Sequence, residues 1–148
     1  TLNAVNSIMG MKFSEDEKFT TLDMNSIDLY TGETEFIKVG ASMSFIKKGA
    51  EVEVINSSSL PFGILDDINI TPIKKKVKQG DIIVTISDGV IDGDKTNIGD
   101  YSWIVSYLKG EQNNPELISR EILDLAKKRS NGRVIDDMTI VVSKLYAC

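Results

Sequence analysis

The chain has 148 residues, 41% apolar and 26% charged, which suits one domain with a real hydrophobic core. A net charge of -5 argues against nucleic acid as a partner, and no run of about 18 apolar residues is present to span a membrane, so neither contact is expected of this chain. Histidine is absent and Cys148 is the only cysteine, which excludes Ser-His-Asp and Cys-His nucleophilic sites, histidine-ligated zinc, histidine-phosphate intermediates and any disulfide within the chain. Acid-base or metal chemistry must therefore rest on carboxylates, Lys, Tyr, Ser or Thr, and the cysteine usage points to a reducing, cytosolic setting.

Leu2, Val5, Ile8 and Met9 recur at helical spacing, so residues 1–9 read as the end of a helix closed by Gly10. A chain that opens inside a helix reads as a piece of a longer one. Phe19 to Leu29 is apolar and β-prone, Thr31-Gly32-Glu33 is a turn, and Glu35 to Val39 resumes as a strand, which gives a hairpin. Met43 to Lys47 and Val52 to Ile55 flank Lys48-Gly49-Ala50 as a second hairpin. Asn56 to Ser59 is a polar loop, and Pro61 and Gly63 interrupt any ladder across Leu60 to Ile64. Ile68 to Val77 reads as a strand whose Lys74-Lys75-Lys76 run suits a solvated sheet edge. After the Gln79-Gly80 turn, Asp81 to Ile86 is a strongly apolar strand that ends at Ser87-Asp88-Gly89.

Asp92 to Asp100 is a polar loop, and Ser102 to Leu108 is a short helix with Trp103 as its core anchor. Asn114-Pro115-Glu116 is a strong helix start: Asn caps, Pro occupies the first position, and Glu follows in the first turn. Leu117, Ile118, Ile122, Leu125 and Ala126 form its apolar face, and Glu116 with Arg120 and Asp124 with Lys128 are supportive i,i+4 pairs. Ser130-Asn131-Gly132 ends this helix, and Met138 to Leu145 is the last strand. Strands come first and helices later, which predicts an α+β fold with antiparallel pairing. No internal repeat or linker interrupts residues 1–148, so one domain is expected.

Two segments carry the chemistry. Asp88 follows the apolar run ending at Ile86, and Asp136-Asp137 precedes the run from Met138 to Val142. Runs of this kind read as strands buried on both faces, with a polar end where a carboxylate can reach solvent or a cation. Two such aspartates could converge on one hard divalent ion, since Mg²⁺ and Mn²⁺ prefer oxygen ligands. Alone, each segment is an ordinary turn or loop signal. The loop from Asp92 does not fit an EF-hand, because Asn97 stands where glycine is required and Trp103 where the bidentate Glu belongs. A cation-binding domain built around that loop is thereby disfavoured.

In one order the chain carries Phe19-Thr20-Thr21-Leu22-Asp23 leading to Ile27-Asp28-Leu29 and Gly32, Lys38-Val39-Gly40-Ala41-Ser42, Leu60-Pro61-Phe62-Gly63-Ile64, Gly80-Asp81 leading to Ser87-Asp88-Gly89-Val90, and Asp136-Asp137-Met138-Thr139. This ordered set resembles the PP2C-like, metal-dependent (PPM) serine/threonine phosphatases, and within them the bacterial branch that dephosphorylates anti-anti-sigma factors. The resemblance implies an αββα sandwich of two antiparallel sheets flanked by helices. It implies a protein serine phosphatase in sporulation sigma-factor control, using two Mn²⁺ or Mg²⁺ ions to activate water against the phosphoserine of a phosphorylated anti-anti-sigma factor. By position it assigns Asp88 and Asp136 as metal ligands, Gly89, Asp137 and Thr139 as supports, and Gly40 and Ser42 as the rim of the site.

The family's upstream Asp-Gly motif, whose Asp bridges both metals, is not in these 148 residues. The expectation is therefore a domain incomplete at its N-terminus, inactive and metal-free by itself, with an exposed sheet edge that favours self-association. The alternative is a non-catalytic protein-interaction module on the same fold. The resemblance also implies that the full-length protein is membrane-anchored at the division septum, with this part on the cytoplasmic face.

Overall fold

Turn chemistry and one proline decide where the elements stop, as the computed structural model shows over residues 2–10, 19–65, 68–92, 99–131 and 136–146. The elements in chain order are α1 (Leu2–Gly10), β1 (Leu22–Ile27), β2 (Glu33–Val39), β3 (Ser44–Lys48), β4 (Glu51–Ile55), β5 (Ile73–Lys76), β6 (Ile82–Ile86), α2 (Gly89–Asp92), α3 (Ser102–Leu108), α4 (Pro115–Arg129) and β7 (Ile140–Lys144). The strands form two antiparallel sheets, of order β1-β2-β5 and β4-β3-β6-β7. By its contacts the chain divides into two compact units, one of residues 1–42 and 56–76 and one of residues 43–55 and 77–148.

The first unit holds the three-stranded sheet. The Asp28 carboxylate accepts the Tyr30 and Thr31 amides at the tip of the β1–β2 hairpin, and these bonds hold its pKa below the usual carboxylate value. Gly32 adopts φ 74° there, as a turn of this kind requires. Lys38 stands directly opposite Asp23 in the ladder, and its buried ammonium pairs with the Asp23 carboxylate. Burial pushes the Lys38 pKa down against the pull of Asp23. Helix α1 is tied to the segment after Pro61 by Asn6, whose amide oxygen accepts the Gly63 N–H at 3.0 Å and whose amide nitrogen donates to the Leu65 carbonyl at 2.9 Å.

The strand expected over Ile68–Val77 contracts to β5. Pro72 has no N–H to give a ladder, so regular pairing begins only at Ile73 opposite Phe36. As the sheet's edge, β5 exposes Lys74 and Lys76. The run from Phe19 likewise narrows to β1, with Thr20 making an isolated bridge to Phe62.

The second unit packs α2, α3 and α4 onto one face of the four-stranded sheet. Phe45, Ile82, Val84 and Ile86 from the sheet meet Val90, Ile104, Leu108, Ile118, Ile122 and Ala126 from the helices in one buried cluster. Asn114 caps α4 as its sequence predicts, accepting the Glu116 and Leu117 amides at 2.9 and 3.2 Å. Ile118, Ile122 and Ala126 form the buried stripe, whereas Leu117 and Leu125 lie half-buried at its margins. Among the described residues neither i,i+4 pair on α4 closes into an ion pair. Arg129 instead reaches Asp100 at 3.2 Å and stacks over the Trp103 ring.

Two polar contacts pin α3. Lys47 is buried in β3, and its ammonium donates to the carbonyls of Gly49, Leu108 and Gly110 at 2.7, 2.6 and 2.6 Å. A cation at a helix C-terminus meets carbonyls that have no helical partner. Burial lowers the Lys47 pKa, so the charge is held at some cost. Tyr107 donates its phenolic O–H to the Glu121 carboxylate at 2.6 Å. Burial, then that bond and the carboxylate's charge, raise the phenol well above its usual value of 10.0.

Lys47→Ala, which leaves three carbonyls without their donor, should destabilise the chain by about 2–3 kcal/mol in urea unfolding. Lys47→Met, which keeps the apolar stem, should be no better than partly restorative. For Tyr107, the folded chain holds the phenolic proton more tightly than the unfolded chain. Its contribution is complete below about pH 10 and is lost as the pH rises beyond that. Unfolding free energies near pH 8 and above pH 10 should show this alkaline loss in the wild type and a smaller one in Tyr107→Phe.

Candidate functional site

Strands β6 and β7 run antiparallel with Ile86 opposite Ile140, so the C-terminal end of one lies beside the N-terminal end of the other. The ladder continues one step further, where the Ser87 N–H donates to the Thr139 carbonyl at 3.0 Å. Asp88 follows on one side, and Asp136-Asp137 precedes on the other. The Ser87 hydroxyl accepts the Thr139 N–H at 2.9 Å and donates to the Asp137 carbonyl at 2.9 Å.

Gly89 closes the arrangement. A Cβ on Gly89 would lie 2.5 Å from the Asp137 carbonyl oxygen and 3.2 Å from the Asp136 carbonyl carbon, so only glycine lets α2 start this close to the facing backbone. Asp88 leads into α2: its carbonyl accepts the Ile91 and Asp92 amides, both at 2.9 Å, and its carboxylate accepts the Gly89 N–H at 3.0 Å. The Asp136 carboxylate accepts the Asp137 N–H at 2.8 Å.

Asp88, Asp136 and Asp137 are all exposed. Among the described residues none of them has a basic partner, so a cation from solution can reach their carboxylates. The donors are hard oxygens, the kind Mg²⁺ and Mn²⁺ take, and the Gly89 approach leaves the aspartate-bearing segments in backbone contact. Among the described residues no group of three acidic or cysteine side chains comes together closely enough to hold a metal by itself.

The structure thus brings together Asp88, Gly89, Asp136, Asp137 and Thr139. The contribution of Asp137 and Thr139 to this arrangement is made by backbone groups. Gly40 and Ser42 belong to the first unit. Gly40 adopts φ +60° against Pro61, whose backbone nitrogen would lie 2.7 Å from an added Cβ, and its N–H donates to the Ser59 carbonyl at 3.0 Å. The Ser42 hydroxyl oxygen is buried with no hydrogen-bond partner among the described residues. The loop expected from Asp92 starts as the last residue of α2, and residues 93–98 lie outside the described residues. Sequence reasoning passed over the Ser87 hydroxyl. Its signal was a short polar side chain placed between a buried strand and Asp-Gly.

One strand expectation needs correction. The run from Met138 to Val142 is not buried on both faces: β7 is an edge strand with alternating burial, and Val141 is 54% exposed. Of these two runs, β6, with a neighbour on each side, has the two-faced burial that its apolar run predicts.

A sequence model of the family described as stage II sporulation protein E (SpoIIE) matches residues 1–146. The chain belongs to the stage II sporulation protein E family. It is 32% identical over 145 residues to stage II sporulation protein E of Bacillus subtilis (strain 168), covering 97% of this chain and 17% of that protein. It is 35% identical over 146 residues to stage II sporulation protein E of Priestia megaterium, covering 97% of this chain and 25% of that one. The chain therefore spans a quarter or less of the length of these two SpoIIE relatives.

Two solved SpoIIE structures from Bacillus subtilis share its fold. The PP2C phosphatase domain with a fragment of the regulatory domain matches at TM-score 0.84 and 33% identity, over 95% of this chain and 42% of that one. The phosphatase domain presoaked with Mn matches at TM-score 0.76 and 32% identity, over 98% of this chain and 64% of that one. The mixed fold of helices and two antiparallel sheets is that of PP2C phosphatase domains, as the sequence pattern predicts. Among the described residues no helix is long and apolar enough to cross a membrane.

Gly89→Ala forces a Cβ against backbone that cannot swing aside, and should destabilise the chain by about 1–3 kcal/mol in thermal or urea unfolding. Gly49→Ala, where an added Cβ meets nothing within 4 Å, is the comparison that isolates left-handed backbone strain from steric contact.

Proposed function

We propose that this chain supplies part of a metal-dependent protein serine phosphatase site, with Asp88 and Asp136 as metal ligands. One observation carries the reading: the β6–β7 register sets two unpaired, exposed aspartate segments side by side at one end of a sheet. Family membership and the fold of Mn-presoaked and other SpoIIE phosphatase domains support it.

When bound, Mn²⁺ or Mg²⁺ supplies Lewis acidity that lowers the pKa of water and offsets phosphoryl charge. The chain's own residues do the rest. Asp88, at the mouth of α2, and Asp136, ahead of β7, provide carboxylate oxygens. Asp137 and Thr139 anchor the second segment through their backbone, and Gly89 permits the close approach. None of the three aspartates has a basic partner among the described residues, so their oxygens are open to a divalent ion. The full two-metal site draws its remaining ligands from outside the described residues. The family resemblance alone assigns Gly40 and Ser42, which belong to the first unit, to the rim. With no histidine in the chain, protons are exchanged with carboxylates or water.

By the family resemblance the substrate is a phosphoserine protein, the phosphorylated anti-anti-sigma factor of sporulation control; the family's description itself supports only the sporulation context. In this reading the full-length protein is anchored at the division septum, and this domain lies on its cytoplasmic side.

In the full-length protein, Mn²⁺-dependent release of phosphate from a phosphoserine protein should fall by about 100-fold or more in Asp88→Asn and in Asp136→Asn. Calorimetry should show the matching loss of Mn²⁺ binding. Hydrolysis that survives both substitutions would sink the assignment.

A further inference from the structure

Building on the metal-site reading above, we infer that Ser87 is a positioning residue. Its hydroxyl clamps the Asp136-Asp137 segment to the Asp88 end of β6, and so sets the spacing of the carboxylates before any cation arrives.

The regular β6–β7 ladder ends at the Ile86–Ile140 pair. Asp136 lies beyond that end, on chain that belongs to no strand. Three bonds from one residue hold this stretch. The Ser87 N–H donates to the Thr139 carbonyl at 3.0 Å, the Thr139 N–H donates to the Ser87 hydroxyl at 2.9 Å, and that hydroxyl donates to the Asp137 carbonyl at 2.9 Å. A serine hydroxyl has one donor and can accept, and here both capacities are spent on the same neighbouring segment. Gly89 packs on the same Asp137 carbonyl, which is thus held by the hydroxyl and crowded by the glycine.

Exposure gives the clamp its purpose. Asp88, Asp136 and Asp137 have no basic partner among the described residues, so no ion pair fixes where their segments lie when no cation is present. A neutral hydrogen-bonded clamp fixes them at any ionic strength. It fixes ligands through their backbone, as partners outside the coordination sphere do in other metal sites. Because Ser87 lies near the surface, water can satisfy the groups that alanine would leave. The loss then falls on position rather than on the fold.

The test uses the full-length protein with three readouts. Ser87→Ala should weaken Mn²⁺ binding about tenfold in calorimetry. In the metal-free protein it should speed hydrogen exchange of the peptide containing Thr139 several-fold, with the circular dichroism unchanged. Ser87→Thr, which keeps the hydroxyl, should restore both affinity and protection. Wild-type Mn²⁺ affinity in Ser87→Ala, or failure of Ser87→Thr to restore it, overturns the proposal. If the wild-type protein itself binds no Mn²⁺, the metal-site reading fails, and the exchange data alone then decide the clamp. Unchanged Thr139 exchange in Ser87→Ala refutes it.

Discussion

The antiparallel register of β6 against β7 is the constraint on which the candidate site depends. With Ile86 opposite Ile140, Ser87 meets Thr139, and the two aspartate segments emerge from the same end of the sheet. A slip of one residue would turn every side chain of β7 to the other face, taking Ile140 and Val142 away from the helices and breaking both bonds of the Ser87 hydroxyl. The apolar packing of Ile140 and Val142 against the core cluster, with α4 beside β7, therefore fixes the backbone pairing at the strand ends. Core and site are specified by the same pairing.

Buried polar groups pin each unit where apolar packing has no direction. In the first unit, Lys38 faces Asp23 across β1 and β2, and Asn6 joins α1 to the Gly63–Leu65 segment through both halves of its amide. In the second, Lys47 gathers three carbonyls at the end of α3, and Tyr107 ties α3 to α4 through Glu121. A buried ion pair is weak evidence for net stability, because desolvation offsets much of the attraction. Its directional bonds still make alternative registers costly, since a shifted strand would leave a buried charge unmet. Apolar area holds these units together, and a few directed polar contacts select the arrangement.

At the site the logic is reversed, because the polar groups are exposed. Asp88 and Asp136 have no basic neighbour among the described residues, and the groups around them that bond are backbone amides and carbonyls with one hydroxyl. Exposed hard oxygens of this kind are the donors that Mg²⁺ and Mn²⁺ prefer. The chain belongs to the SpoIIE family and shares the fold of PP2C phosphatase domains. The glycine at the start of α2 has a steric cause, the close Asp137 carbonyl.

Much of this was legible in the sequence because it is written locally. Asn114-Pro115-Glu116 fixes the start of α4 through a cap and a ring-locked dihedral, Gly32 and Gly49 mark hairpin turns through their positive φ, and the apolar run to Ile86 identifies a central strand. The histidine-free composition bounded the chemistry before any fold was known. The ordered motifs carried the family because each keeps its own place along the chain. What the sequence could not determine were quantities set between distant segments. Whether β7 is central or at an edge depends on which strands lie beside it. The length of β5 depends on Pro72 failing to pair with β2. Neither i,i+4 pair of α4 closes among the described residues, while Arg129 of the same helix reaches Asp100 and Trp103, partners that only the fold brings near. That Ser87 clamps the Asp137 carbonyl was likewise decided only by the tertiary pairing of β6 with β7. Local propensity acts within a few residues, whereas a hydrogen bond between residues 50 apart in the chain exists only once the sheet has formed.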